Sequence, residues 1–247
     1  MTQHISADRF DAALFDLDGV ITDTADLHAH AWKTMFDEYL QQRAAHRGET
    51  FEPFTIEGDY KTYVDGKPRY DGVRSFLLSR GIELPEGTPA DPADTETVCG
   101  LGNRKNELVN KLMDEEGVVV YDGSVRLLNQ LRDAGVRLGV VSSSKNCVRV
   151  LKTAGLLDLF EARVDGVVAA DQGLPGKPAP DTFIAAARDL GTTPERAVVV
   201  EDAISGVQAG RAGGFGLVIG VDRDGDPEAL RSNGADIVVA DLGELVS

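Results

Sequence analysis

Ala12-Ala13-Leu14-Phe15-Asp16-Leu17-Asp18-Gly19-Val20 places two carboxylates directly after a short apolar run. The run predicts a buried strand with the acids at its C-terminal end. Side chains alternate along a strand, so Asp16 and Asp18 share a side if the chain stays extended. Gly19 lets it turn instead. Strand C-termini are where α/β sheets bind ligands. Paired acids at that edge suit a hard cation and phosphoryl chemistry; an Asx-turn that closes the strand is the plainer account.

The residues beyond decide between them. Val136–Ser142 predicts a strand, Asn146–Ala154 a helix stopped by Gly155, and Arg163–Val168 a short strand. A helix follows over Pro180–Leu190, then strands at Ala197–Val200, Leu217–Val221 and Ile237–Val239. Strands alternating with helices imply the α/β class, with a doubly wound parallel sheet, a Rossmann-like core. Between the first strand and this alternation the pattern is helical: Ala25–Gln42, Asp71–Arg80 and Cys99–Glu115, with a polar stretch from Arg43 to Gly72 and a loop at Glu86–Asp94. The next core strand is expected near Val118–Tyr121. The expected organisation is a catalytic core of 1–27 and 119–247 with an inserted helical cap domain over 28–118.

The 247 residues carry a net charge of −16, which disfavours nucleic acid and anionic membrane surfaces as partners. A small anionic ligand stays open, because a local basic pocket fits inside an acidic protein. Cys99 and Cys147 make no disulfide framework, as expected in a reducing compartment. Met1–Arg9 lacks a basic-then-apolar leader pattern, and no apolar run has the length to cross a bilayer. A soluble, cytoplasmic monomer is the expectation.

Three further motifs accompany predicted strands. Val140-Val141 leads into Ser142-Ser143-Ser144-Lys145-Asn146, Lys177 lies in Gly173-Leu174-Pro175-Gly176-Lys177-Pro178-Ala179-Pro180-Asp181, and Val198-Val199-Val200 leads into Glu201-Asp202. A carboxylate attacking a phosphate meets repulsion of about 4 kcal/mol per charge pair at about 4 Å and an effective dielectric of about 20. Asp16, Glu201 and Asp202 therefore call for a divalent cation, and Mg²⁺ suits an oxygen-only site. Lys177 would neutralise phosphate on the other side and the Ser142 hydroxyl would hold a phosphoryl oxygen. An Asp of ordinary pKa is already ionised at neutral pH. Glu201-Asp202 also reads as a helix cap for Ala203–Ala212, and Trp32 as packing between its helix and the core. Ser142–Ser144 lack the nucleophile-elbow glycines. Gly210–Gly216 follows a helix instead of opening one, so it reads as a turn, not a dinucleotide loop.

Acid pair, hydroxyl, lysine and second acid pair, in this order, resemble the haloacid dehalogenase superfamily of aspartyl phosphotransferases. The β-phosphoglucomutase branch is the nearest likeness, through Asp16–Ala25, His28, Ala31-Trp32-Lys33, Ser144-Lys145-Asn146 and Lys177–Asp181. The resemblance implies roles. Asp16 becomes an aspartyl-phosphate; Asp18 is general acid/base, with its carbonyl on Mg²⁺. Asp202 ligates the metal, supported by Glu201. Ser142, Ser143 and Lys177 hold the transferred phosphate. Thr24 lies at the hinge and His28 positions Asp18 or the substrate. Arg69, Ser144, Lys145 and Asn146 grip the other phosphate, and Lys105 reaches the sugar. One departure stands out: the branch has a lysine four residues before the arginine, where this chain has Asp65, with Lys67 two residues later. The segment Gln41–Tyr60 also looks longer than in the branch.

The expected activity is Mg²⁺-dependent phosphoryl transfer on a hexose phosphate, converting β-glucose 1-phosphate to glucose 6-phosphate through a bisphosphate. A sugar-phosphate phosphatase of the same superfamily is the alternative. A phospho-Asp signalling receiver and an idle sugar-phosphate-binding regulator are more distant ones.

Overall fold

The computed structural model describes residues 5–223 and 225–246. Met1–His4, the first part of the Met1–Arg9 stretch read for a leader pattern, lie outside them. The chain divides into two compact units. One comprises the chain up to Asp23, Gly66–Pro68 and Val118 onward; the other comprises Thr24–Asp65 and Arg69–Gly117. The first crossing falls between Asp23 and Thr24, ahead of the long helix.

The α/β unit holds six strands: β1 (Ala12–Phe15), β2 (Arg137–Val141), β3 (Ala162–Val164), β4 (Ala197–Glu201), β5 (Leu217–Val221) and β6 (Ile237–Val239). They form one sheet in the order β3-β2-β1-β4-β5-β6, with every pair parallel. This order reverses direction between β1 and β4, which is where such sheets open a ligand crevice. β1, β4 and β5 are buried at every residue, as strands covered on both faces must be. The edge strands β3 and β6 are shorter and only partly buried.

Two sequence expectations fail here. Val118–Tyr121 adds no strand to the sheet: Val120 makes an isolated antiparallel bridge with Thr22, flanked by Asp23 N donating to Val119 O and Tyr121 N donating to Ile21 O. Its apolar residues pair the two chain crossings, not the core. Arg163–Val168 is not one strand either. The chain leaves the sheet at Val164, and a helix runs over Gly166–Gln172 because Asp165 accepts from Val167 N and Val168 N at its start.

The other unit is helical, with α1 (Ala25–Arg47), α2 (Arg69–Ser79) and α3 (Val98–Glu116). A nine-residue π-helix over Ile56–Val64 stands where a featureless polar stretch was expected. Its start shows a capping exchange widened by one residue: Thr55 N donates to Asp59 Oδ2 (2.9 Å) and Asp59 N to Thr55 Oγ1 (3.1 Å). Spacing of four instead of three hides it from a capping-box reading. Phe36 centres the core of this unit, with rings of Trp32, Phe54 and Phe76 at 5.3, 5.0 and 4.3 Å. Trp32 therefore packs in the helical unit's own core. Among the described residues, no helix is long and apolar enough to cross a membrane.

Candidate active site

The strand register sets the chemistry. β1 pairs with β2 on one side and β4 on the other, Phe15 standing level with Val140 and Val200. Asp16, the end of β2 and Glu201 therefore emerge at adjacent strand ends. Lys177 fills the space among them: its Nζ is ion-paired with both Asp16 and Glu201 and donates to Val141 O at 3.2 Å. The ammonium also lies 5.1 Å from the Phe183 ring centroid. Asp16, Lys177 and Glu201 are all buried.

Two buried carboxylates share one buried ammonium. Burial raises Asp16 to about 6, with Lys177 pulling it down and Asp18 pushing it up. Burial likewise raises Glu201 to about 7, against the opposing pull of Lys177. Burial works to lower Lys177, but the two carboxylates outweigh it and hold it above its usual value. The ordinary Asp pKa expected from sequence is thus shifted upward by burial. The cluster has an excess of negative charge, which a proton or a bound cation relieves.

After β1 the chain turns tightly. Gly19 N donates to Thr22 O, and Ile21 N and Thr22 N both donate to Leu17 O. Gly19 has φ +84°, and a Cβ there would lie 1.8 Å from Asp202 Oδ2. The absent side chain is what seats the Asp202 carboxylate against the acid-pair turn. Glu201 depends on a glycine too: a Cβ on Gly206 would fall 1.9 Å from its carboxyl group. Glu201 Oε2 accepts from Ala203 N at 3.0 Å. The helix starts one residue later than expected, at Ile204, with Ala203 at the N-cap in place of Glu201 or Asp202. Glu201 turns toward Lys177 instead.

The serine segment closes on itself. Ser142 Oγ, buried at the end of β2, accepts from Ser144 N (3.1 Å), and Ser144 Oγ accepts from Asn146 N (3.1 Å). Ser143 Oγ donates to Gly66 O at 2.7 Å. Lys145 is exposed.

The helical unit carries a separate cluster of bases. Lys105, 6 % exposed, places Nζ 3.0 Å from His28 Nδ1 and 4.9 Å from the Trp32 ring centroid. Burial, then Lys105 and Arg69, hold His28 well below the usual imidazole range. It is neutral at pH 7, and its Nδ1 accepts from the ammonium. Burial also lowers Arg69, whose Nη1 donates to Asn103 Oδ1 at 3.4 Å. Thr24 is buried at the N-cap of α1, where its carbonyl accepts from His28 N. A buried cluster of bases of this kind suits an anionic ligand.

Among the described residues, no group of three or more His, Cys, Asp or Glu is arranged to hold a metal ion. Glu201 has Oε1 on Lys177 and Oε2 on Ala203 N, so its oxygens are committed. The oxygens that the sequence reading assigns to a hard cation, the carboxylates of Asp16 and Asp202 and the Asp18 carbonyl, are an oxygen-only set of the kind Mg²⁺ takes with waters and substrate oxygens. The excess charge around Asp16 makes that set a fit.

Sequence reading missed Arg223. It follows β5, belongs to none of the motifs, and donates from Nε to Gly19 O at 2.7 Å. Gly206 was missed as well, although a glycine inside a helix is itself a signal.

Comparison with known proteins adds three relatives to a family match. Residues 10–214 match the haloacid dehalogenase-like hydrolase model. A β-phosphoglucomutase of Mycobacterium bovis is 56% identical over 238 residues, covering 95% of this chain and 91% of the relative. A validoxylamine A 7'-phosphate phosphatase of Streptomyces hygroscopicus subsp. limoneus is 30% identical over 246 residues, covering 96% of each. The crystal structure of a β-phosphoglucomutase from Clostridium difficile superposes with a TM-score of 0.73 at 26% identity, covering 96% of this chain and 93% of that one.

Proposed function

The chain belongs to the haloacid dehalogenase-like hydrolase family, and from that premise we propose that it is a Mg²⁺-dependent aspartyl phosphotransferase acting on a hexose phosphate, most like β-phosphoglucomutase. The observation that carries the reading is Lys177 held between Asp16 and Glu201 at neighbouring strand ends. A nucleophilic carboxylate and a cation for the phosphoryl oxygens are thereby adjacent, away from water.

In the proposed cycle an Asp16 oxygen forms a bond to phosphorus as the phosphorus–oxygen bond to the sugar breaks. Asp18 gives its proton to the departing sugar oxygen. In the return step Asp18 takes the proton from a sugar hydroxyl, which receives the phosphoryl group from Asp16. Lys177 and the Ser142 hydroxyl hold the phosphoryl oxygens, with Ser143 at the same loop. Glu201 keeps Lys177 in place. Mg²⁺ would be held by Asp16, Asp202 and the Asp18 carbonyl; the chemistry it supplies when bound is neutralisation of charge between the acids and the phosphoryl group. Arg69 and Lys105, with Ser144, Lys145 and Asn146, are assigned to the sugar and its second phosphate. His28 and Thr24 are assigned to positioning. The 56% identity to a β-phosphoglucomutase supports the mutase reading. An acidic chain of this composition fits a cytoplasmic enzyme whose partner is a small sugar phosphate.

The phosphatase reading, with water as acceptor, is favoured by one observation, Asp65 in place of the branch's lysine. The relative that acts as a phosphatase supports it too. The assay supplies β-glucose 1-phosphate with a trace of glucose 1,6-bisphosphate and follows glucose 6-phosphate and free phosphate together. Glucose 6-phosphate without matching phosphate release is expected; phosphate alone overturns the mutase reading in favour of hydrolysis.

A further inference from the structure

Gly19 is the most permissive residue of the acid-pair turn, and both of its peptide groups are tied down. Its N–H donates to Thr22 O at 2.8 Å. Its carbonyl accepts from Arg223 Nε at 2.7 Å. The guanidinium is itself fixed on two further sides. It lies 3.6 Å from the Tyr121 ring centroid, and Nη1 donates to Ala240 O at 3.1 Å. Tyr121 in turn donates from its hydroxyl to Asp23 Oδ1 at 2.8 Å. The Arg223 Nη2 atom is buried with no hydrogen-bond partner among the described residues. The fork is aimed by the stack and by Gly19, with Nη1 also 3.9 Å from Asp241 Oδ2.

We propose that Arg223 is a positioning residue for phosphoryl transfer, acting through the Gly19 carbonyl. Glycine crosses between backbone basins at little cost, so an untethered Gly19 carbonyl leaves the following peptide free to rotate. The Asp202 carboxylate rests where a Gly19 side chain would be, so rotation there disturbs its seat. Asp18 lies on the other side of Gly19, where the Gly19 N–H holds the preceding peptide on Thr22 O. Arg223 thus holds the metal-side acid Asp202 in register with Asp16 without touching the substrate. The inference rests on the phosphotransferase reading above.

The experiment compares wild type with Arg223→Met and Arg223→Lys. A small misplacement of reacting groups costs about a hundredfold in rate. Arg223→Met is therefore expected to lower kcat about a hundredfold while KM for the sugar phosphate stays within about twofold. Arg223→Lys keeps the charge but loses the planar fork, so it is expected to stay at least about tenfold below wild type. Wild-type kcat in Arg223→Met, or full rescue by lysine, overturns the proposal. A second readout needs no turnover and no variant: the through-hydrogen-bond coupling between Arg223 ¹⁵Nε and Gly19 ¹³C′ in metal-free wild type. Its absence overturns the proposal even if Arg223→Met does not fold. A wild type that forms no phospho-Asp16 ends the phosphotransferase reading and this inference with it; an active wild type matched by Arg223→Met ends this inference alone.

Discussion

Replacing Lys177 by Met separates stability from activity in a way the charge cluster makes quantitative. The substitution leaves Asp16 and Glu201 buried without their shared cation. Breaking a buried pair ordinarily costs about 3–5 kcal/mol. Here protonation limits the loss. From reference values of 3.8 and 4.5, neutralising both acids at pH 7 costs about 4 and about 3 kcal/mol. With native values of about 6 and about 7, the wild type already bears about 3 kcal/mol at each. The variant is therefore expected to lose only about 1–2 kcal/mol more, or about 2–8 °C in Tm for a chain of this size. The sign follows from the raised native values. The folded state binds more protons than the unfolded one between about pH 4 and about pH 7, so stability falls as pH rises through that window. At pH 5 both acids are already mostly protonated in the wild type, and the difference closes. Activity has no such limit: loss of the phosphoryl cation is expected to lower kcat/KM at least about a thousandfold. Thermal unfolding at pH 5 and 7, with initial rates on β-glucose 1-phosphate, checks both. Turnover within tenfold of wild type, or a stability loss undiminished at pH 5, refutes the reasoning.

Gly206→Ala should destabilise and inactivate, although alanine is the better helix former by about 1 kcal/mol, because its methyl would meet Glu201 at 1.9 Å; a raised Tm in a melting curve contradicts that packing. Asp16→Asn should keep the fold and form no phosphoenzyme from a labelled sugar phosphate; label retained after denaturation places the nucleophile elsewhere. Mg²⁺ should raise Tm more at pH 7.5 than at pH 5, because Asp16 and Glu201, held at about 6 and about 7, take up protons at the lower pH. Equal shifts in scanning calorimetry at the two pH values would count against a metal held by Asp16.

Local pattern carried much of this protein. Ala12–Phe15, Ala197–Val200 and Leu217–Val221 read as buried strands because each is apolar at every position, and all three lie in the parallel sheet. The misreadings came from equally apolar segments with other partners. Val118–Tyr121 has strand composition but pairs with Thr22 outside the sheet. Val167 and Val168 look like the end of a strand but open a helix, since Asp165 captures their amides.

Contiguous residues alone determined that a parallel sheet forms and that acids, hydroxyl and lysine stand at or beside its strand ends. Apolar runs, helical spacing and turn residues are properties of neighbours along the chain. The tertiary structure decided the charge state of the cluster, because Lys177 meets Asp16 across 161 positions. A pKa set by burial and by one shared ammonium exists only once distant segments exclude water together. The same holds for Arg223, an unremarkable loop arginine until β5 delivers it to the Gly19 carbonyl, 204 positions away.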